Sequence, residues 1–164
     1  MTLGDIDTAL ILSEDVAFNT AGGTLTVNGA VSGKALTLTN SAGAYFGASV
    51  TSDTWVDLVD TTGTFTFEGD LSTPKLLTAA KPYNLALLGA HTNITATGAN
   101  SSTVFNHTGT LTLGDESSDE LLFAGGLSAT AVSDINLAGK LTTSNAAMTF
   151  GSAPITLQKD TSFS

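Results

Sequence analysis

Residues 24–50 read TLTVNGAVSGKALTLTNSAGAYFGASV, and residues 64–90 read TFTFEGDLSTPKLLTAAKPYNLALLGA. They align without a gap at an offset of 40 residues, and in each a strand-like run is followed by a Gly turn, an apolar residue and a Ser. The turn signature occurs three times, as Val27–Ser32, Phe67–Ser72 and Phe123–Ser128. A shorter theme, Thr alternating with an apolar residue, recurs as TLTV (24–27), LTLT (36–39), TFTF (64–67) and TLTL (110–113), with looser echoes in AMTF (147–150) and ITL (155–157). Strict alternation sends successive side chains to opposite faces, so one face of each run is apolar and the other carries Thr.

Turn pairs such as Asn28-Gly29, Ser32-Gly33, Gly69-Asp70, Gly114-Asp115 and Gly125-Gly126 separate these runs, and no long window keeps a helical period. The three prolines, Pro74, Pro82 and Pro154, fall at strand edges or turns, where a missing N–H costs little. The chain is therefore predicted to be all-β, and two architectures suit many short strands: a parallel β-solenoid (β-helix) or an antiparallel β-sandwich of pilus or surface-layer type. In-register recurrence favours the solenoid, because each rung there meets the same neighbours above and below. Leu25, Val27, Leu36, Leu38, Phe65, Phe67, Leu111, Leu113, Phe123, Met148, Phe150, Ile155 and Leu157 are expected inside, with their Thr alternates outside.

At roughly 20 to 25 residues per rung the chain would make about seven rungs, in a stack roughly 35 Å tall at about 4.8 Å per rung. The end rungs of a solenoid carry unpaired backbone groups. The predicted assembly edges are Thr8, Leu10 and Leu12 near the start and Ile155, Leu157 and Phe163 near the end. Leu157–Ser164 (LQKDTSFS) also echoes Leu12–Asn19 (LSEDVAFN), so the pattern is expected to return to phase after 145 residues, as in a subunit or segment of a longer array. Residues 1–164 read as a single domain.

Charge narrows the function. Five Lys and Arg against fifteen Asp and Glu give a formal net charge of -10, a balance that repels phosphate backbones and anionic lipid heads. Nucleic-acid binding and membrane insertion are therefore not expected, and no run approaches a membrane span. With no cysteine there is neither a disulfide framework nor a thiolate metal site. MTLGDIDTAL lacks the basic and apolar regions of a secretory signal, so a mature or excised segment is expected.

Phrases such as GGTLTVNGAVSG (22–33) and LSATAVSDINLAGKLTTSNAAMTFGSAPITL (127–157) resemble the repeats of long bacterial surface proteins, similar to filamentous haemagglutinin-type adhesins and autotransporter passengers. The resemblance implies a right-handed parallel β-helix in an extracellular, cell-surface filament or adhesin. The open end rungs make the expected partners the chain itself, head to tail, or adjacent repeats of the same protein, with a glycan or surface receptor bound through side loops as the alternative. The resemblance transfers no catalytic residue and no cofactor.

A pectin-lyase-like centre needs acidic clusters and a basic group at a groove, and the only bases are the scattered Lys34, Lys75, Lys81, Lys140 and Lys159. No G-x-S-x-G elbow occurs, and the chain is read as a non-enzyme. Within GDESSDE (114–120), Asp115, Glu116, Asp119 and Glu120 are the calcium candidates, with a solvated loop extruded from one rung as the plainer reading. His91 and His107 lack His or Cys companions and read as surface residues. Asn93, Asn100 and Asn106 open N-x-S/T sequons, expected along one side of the stack as candidate glycosylation sites. Trp55, Tyr45 and Tyr83 are expected at rung ends or core gaps rather than on a sugar. The Thr ladder, interrupted by Asp, Asn and Gly, does not suit an ice-binding surface.

Overall fold

A computed structural model describes residues 1–164. It is an all-β coil of about eight turns, with parallel strands stacked about 21 residues apart. Strands are numbered along the chain. One face is built from β1 (Thr2–Leu3), β4 (Leu25–Val27), β7 (Ser41–Phe46), β10 (Thr61–Phe67), β13 (Asn84–Leu87), β16 (Thr110–Leu113) and the first part of β19 (Asp134–Thr142). A second face stacks β2 (Leu10–Leu12), β5 (Val31–Gly33), β8 (Val50–Ser52), β11 (Leu71–Thr73), β14 (His91–Ile94), β17 (Glu120–Phe123) and the rest of β19. The final strand, β21 (Ile155–Phe163), lies over β19 along both faces. The third face carries β3 (Val16–Asn19), β6 (Leu36–Thr39), β9 (Trp55–Leu58) and β12 (Lys75–Thr78), then β15 (Thr103–Val104), β18 (Leu127–Ala129) and β20 (Met148–Phe150).

Parallel pairing throughout excludes the antiparallel sandwich. The prediction of seven rungs falls one short, because several turns take the low end of the expected length: Val16, Leu36 and Val56 succeed one another at 20-residue steps.

The 40-residue repeat is two turns, since Leu25 sits beside Ala44 and Ala44 beside Phe65. Its Gly turn is the corner between the first and second faces. A Cβ on Gly89 would fall 2.4 Å from the carbonyl oxygen of Gly69 in the turn below, so this corner has no room for a side chain. The third copy departs from phase. Phe123 ends a second-face strand beside Ile94, whereas Val27 and Phe67 end first-face strands. The signature encodes a corner, and any corner of the coil can use it.

Inside, columns of apolar side chains run the length of the stack. Phe46 and Phe67 stack with centroids 4.9 Å apart and planes 9° apart. Leu25, Val27, Leu36, Leu38, Phe65, Phe67, Leu111, Leu113 and Phe123 are all buried as expected. At roughly 1.5 to 3 kcal/mol for each fully buried large side chain, these columns are the main favourable term holding a chain without cysteine. Where the third face passes from β12 to β15, side chains replace the regular ladder. Thr78 Oγ1 donates to the Val104 carbonyl at 2.9 Å and accepts from the Asn106 amide at 2.7 Å.

Candidate functional site: the two end turns

The features that set the ends apart follow from the columns. Leu3, Val27, Phe46, Phe67, Leu87, Leu113, Leu137 and Leu157 form one inward-facing file across eight turns. Every member from Val27 to Leu137 is at most 1% exposed, yet Leu157 is 61% exposed. Ile155, stacked on the buried Ile135, is 46% exposed, and Phe163, stacked on the buried Leu141, is 52% exposed. Ile155 and Leu157 were expected inside; they point inward in register, on the outermost turn of residues 1–164, and are exposed there. Met148 and Phe150 are only partly buried for a related reason, lying on the last strand of the third face.

At the opposite end Leu3, Leu10, Val16 and Phe18 pack partly buried against the core, while Leu12 is 4% exposed. A hollow of about 130 Å³ opens there between Leu3, Leu10 and Val27. Thr8, predicted as an edge residue, is exposed in the turn before β2 and belongs to no strand. The echo between Leu12–Asn19 and Leu157–Ser164 does not return the chain to phase. Leu12 ends a second-face strand, whereas Leu157 stands on the first face, so the echo is displaced by one face.

The acidic loop does project between β16 and β17. Its carboxylates do not converge. Asp119 is buried, and its Oδ2 accepts from the amides of Asp115 at 2.9 Å and Glu116 at 3.0 Å, closing its own loop. Burial, aided by the charges of Asp119, Glu116 and Glu68, raises the Asp115 carboxyl above its usual range. Glu120 instead faces His91, 3.9 Å from Nε2, while Asp70 lies 3.5 Å from Nδ1. With Lys140 stacked next to Glu120, these residues form an exposed file of charge beside a hollow of about 240 Å³. No three His, Cys, Asp or Glu side chains gather into a group able to hold a metal.

His107, expected at the surface, lies in the core, and Tyr83, expected at a rung end or core gap, lies beside it. His107 is fully buried, with neither ring nitrogen hydrogen-bonded, and burial lowers its pKa to about 4. Tyr83 is equally buried; its hydroxyl donates to the Leu58 carbonyl at 3.4 Å and burial pushes its pKa up to about 12. The alternation Thr103, Phe105, His107, all buried between exposed neighbours, was the available signal for the histidine.

The sequons do not share one side. Asn93 stands exposed on the second face and Asn100 lies in the turn before β15 with a φ of 61°. Asn106, just after β15, commits its Nδ2 to the Thr78 carbonyl at 2.9 Å. No protein-family model, curated protein or solved structure matches this chain.

Proposed function

We propose that the chain is a structural module of an extracellular filament, surface layer or large adhesin, whose activity is the end-to-end pairing of its terminal turns. The observation that carries this reading is the exposure of Ile155, Leu157 and Phe163 in columns whose interior members are buried. Covering three such half-exposed side chains is worth roughly 1 kcal/mol each before association costs, about half the value for full burial, and the adjoining strand edge offers main-chain hydrogen bonds along a nine-residue strand. Sequence composition supports the location: few charges, no cysteine and abundant Thr, Ser and Gly suit a surface fibre.

Negative-stain microscopy with sedimentation over a concentration series tests it. Uniform filaments that lengthen with concentration are expected. Compact monomers persisting at high concentration would overturn the reading.

A further inference from the structure

At residue 164 the coil stands part-way round a turn. Its last turn, as far as residue 164 carries it, fills the first and second faces with β21, and on the third face the outermost strand is β20, one turn lower. An identical turn laid face upon face would leave a strand-wide gap over β20. A copy rotated by one face leaves none: its β1 falls on β20, its β2 on the first part of β21 and its β3 on the last part.

From this fit we infer that a second copy of the chain seats on the last turn rotated by one face, about a third of a revolution. This rests on the end-to-end reading above and adds its register. Three features agree with that register. In it Leu10 lies over Ile155, Leu12 over Leu157 and Phe18 over Phe163, each an inward-facing apolar residue on another. The last two pairs are echoing positions of LSEDVAFN and LQKDTSFS, which lie on different faces within one chain and come into line only between chains.

Corner length is the second feature. β21 shifts register on β19, pairing Leu137 with Leu157 but Gly139 with Thr161, so its corner is two residues longer than the one beneath it. Leu12 and Val16 are separated by the same three residues as Leu157 and Thr161, and the enlarged corner thus matches the first turn of the incoming copy. Charge is the third feature. Glu14 lies over Lys159, which also faces Glu116 of its own chain at 3.7 Å, while Asp15, above Asp160, turns its carboxylate to the Ala35 amide of its own chain at 3.1 Å.

The absence of cysteine allows a direct test. Ile11, Thr156 and Thr2 point outward and are exposed, so single-cysteine variants at these positions leave the core intact. Equal mixtures of Ile11→Cys and Thr156→Cys chains, oxidised after assembly, are expected to give disulfide-linked dimers. Mixtures of Thr2→Cys and Thr156→Cys, which meet only in the unrotated stack, are expected to give none. Circular dichroism matching the parent confirms that each variant is folded. Assemblies that link through Thr2, or through neither pair, overturn the rotated register while leaving end-to-end stacking intact. Folded variants that remain monomeric with the parent chain overturn the stacking reading itself and this register with it.

Discussion

The imidazole of His107 lies parallel to the ring of Tyr83, with centroids 5.0 Å apart and planes 17° apart, and hydrogen-bonds to nothing. The pair belongs to an aromatic run from Phe65 through Tyr83, His107 and Phe105 to Phe123, filling the core where the third face changes from β12 to β15. An imidazole used in this way works as an apolar ring, and that has a consequence for pH.

His107 is held neutral in the fold, with a pKa near 4 against the ordinary value of 6.5. Its contribution to stability is complete above pH 6.5, falls as acid protonates the unfolded chain first, and is lost by about pH 4. The loss amounts to up to about 3 kcal/mol. Urea denaturation at pH 7.5 and pH 4.5 measures it. His107→Phe is expected to match the parent at pH 7.5 and to lose less at pH 4.5; equal losses in both proteins would count against a neutral buried imidazole.

One residue type in two positions separates core from end. Phe67→Ala, emptying a fully buried site stacked on Phe46, is expected to cost about 3 to 5 kcal/mol. Phe163, half exposed and touching Phe150 edge-on, should cost less than about 1 kcal/mol in the isolated chain when changed to Ala. Denaturation midpoints of the two variants give the comparison.

At the third-face junction the Thr78 hydroxyl both donates and accepts. Thr78→Val keeps the shape and strips both bonds, with an expected loss of about 1 to 3 kcal/mol. Hydrogen exchange should quicken at the Asn106 amide, and unchanged protection there would show that the junction is held by packing alone.

The Asp119 carboxylate closes its loop by accepting from the amides of Asp115 and Glu116. Asp119→Ala is expected to destabilise the chain by about 1 to 3 kcal/mol and to open residues 114–119 to proteolysis. Millimolar calcium should leave the melting temperature of the parent unchanged; a rise of several degrees would reinstate the acidic loop as a metal site.

Leu157→Lys places a charge on the bare end of the longest apolar column. Since the position is exposed in the isolated chain, its melting temperature should stay within about 2 °C of the parent's while sedimentation shows loss of assembly.

The coil was legible in the sequence because a solenoid presents every turn with the same environment. Alternation in TLTV, TFTF and TLTL fixed which side chains enter the core, and the 40-residue recurrence registered two turns of stacking. The sequence by itself determined an all-β chain, its inward columns and its want of basic or thiol chemistry. Only the tertiary structure decided which face each strand occupies. Corners between any two faces obey the same local rules, so Phe123 and Phe67 carry one signature on different faces. Burial of His107 and the engagement of Asp119 with its own loop also depend on what the neighbouring turns supply. Those contacts join residues more than twenty positions apart or close a loop on itself, and no periodicity along the chain records them.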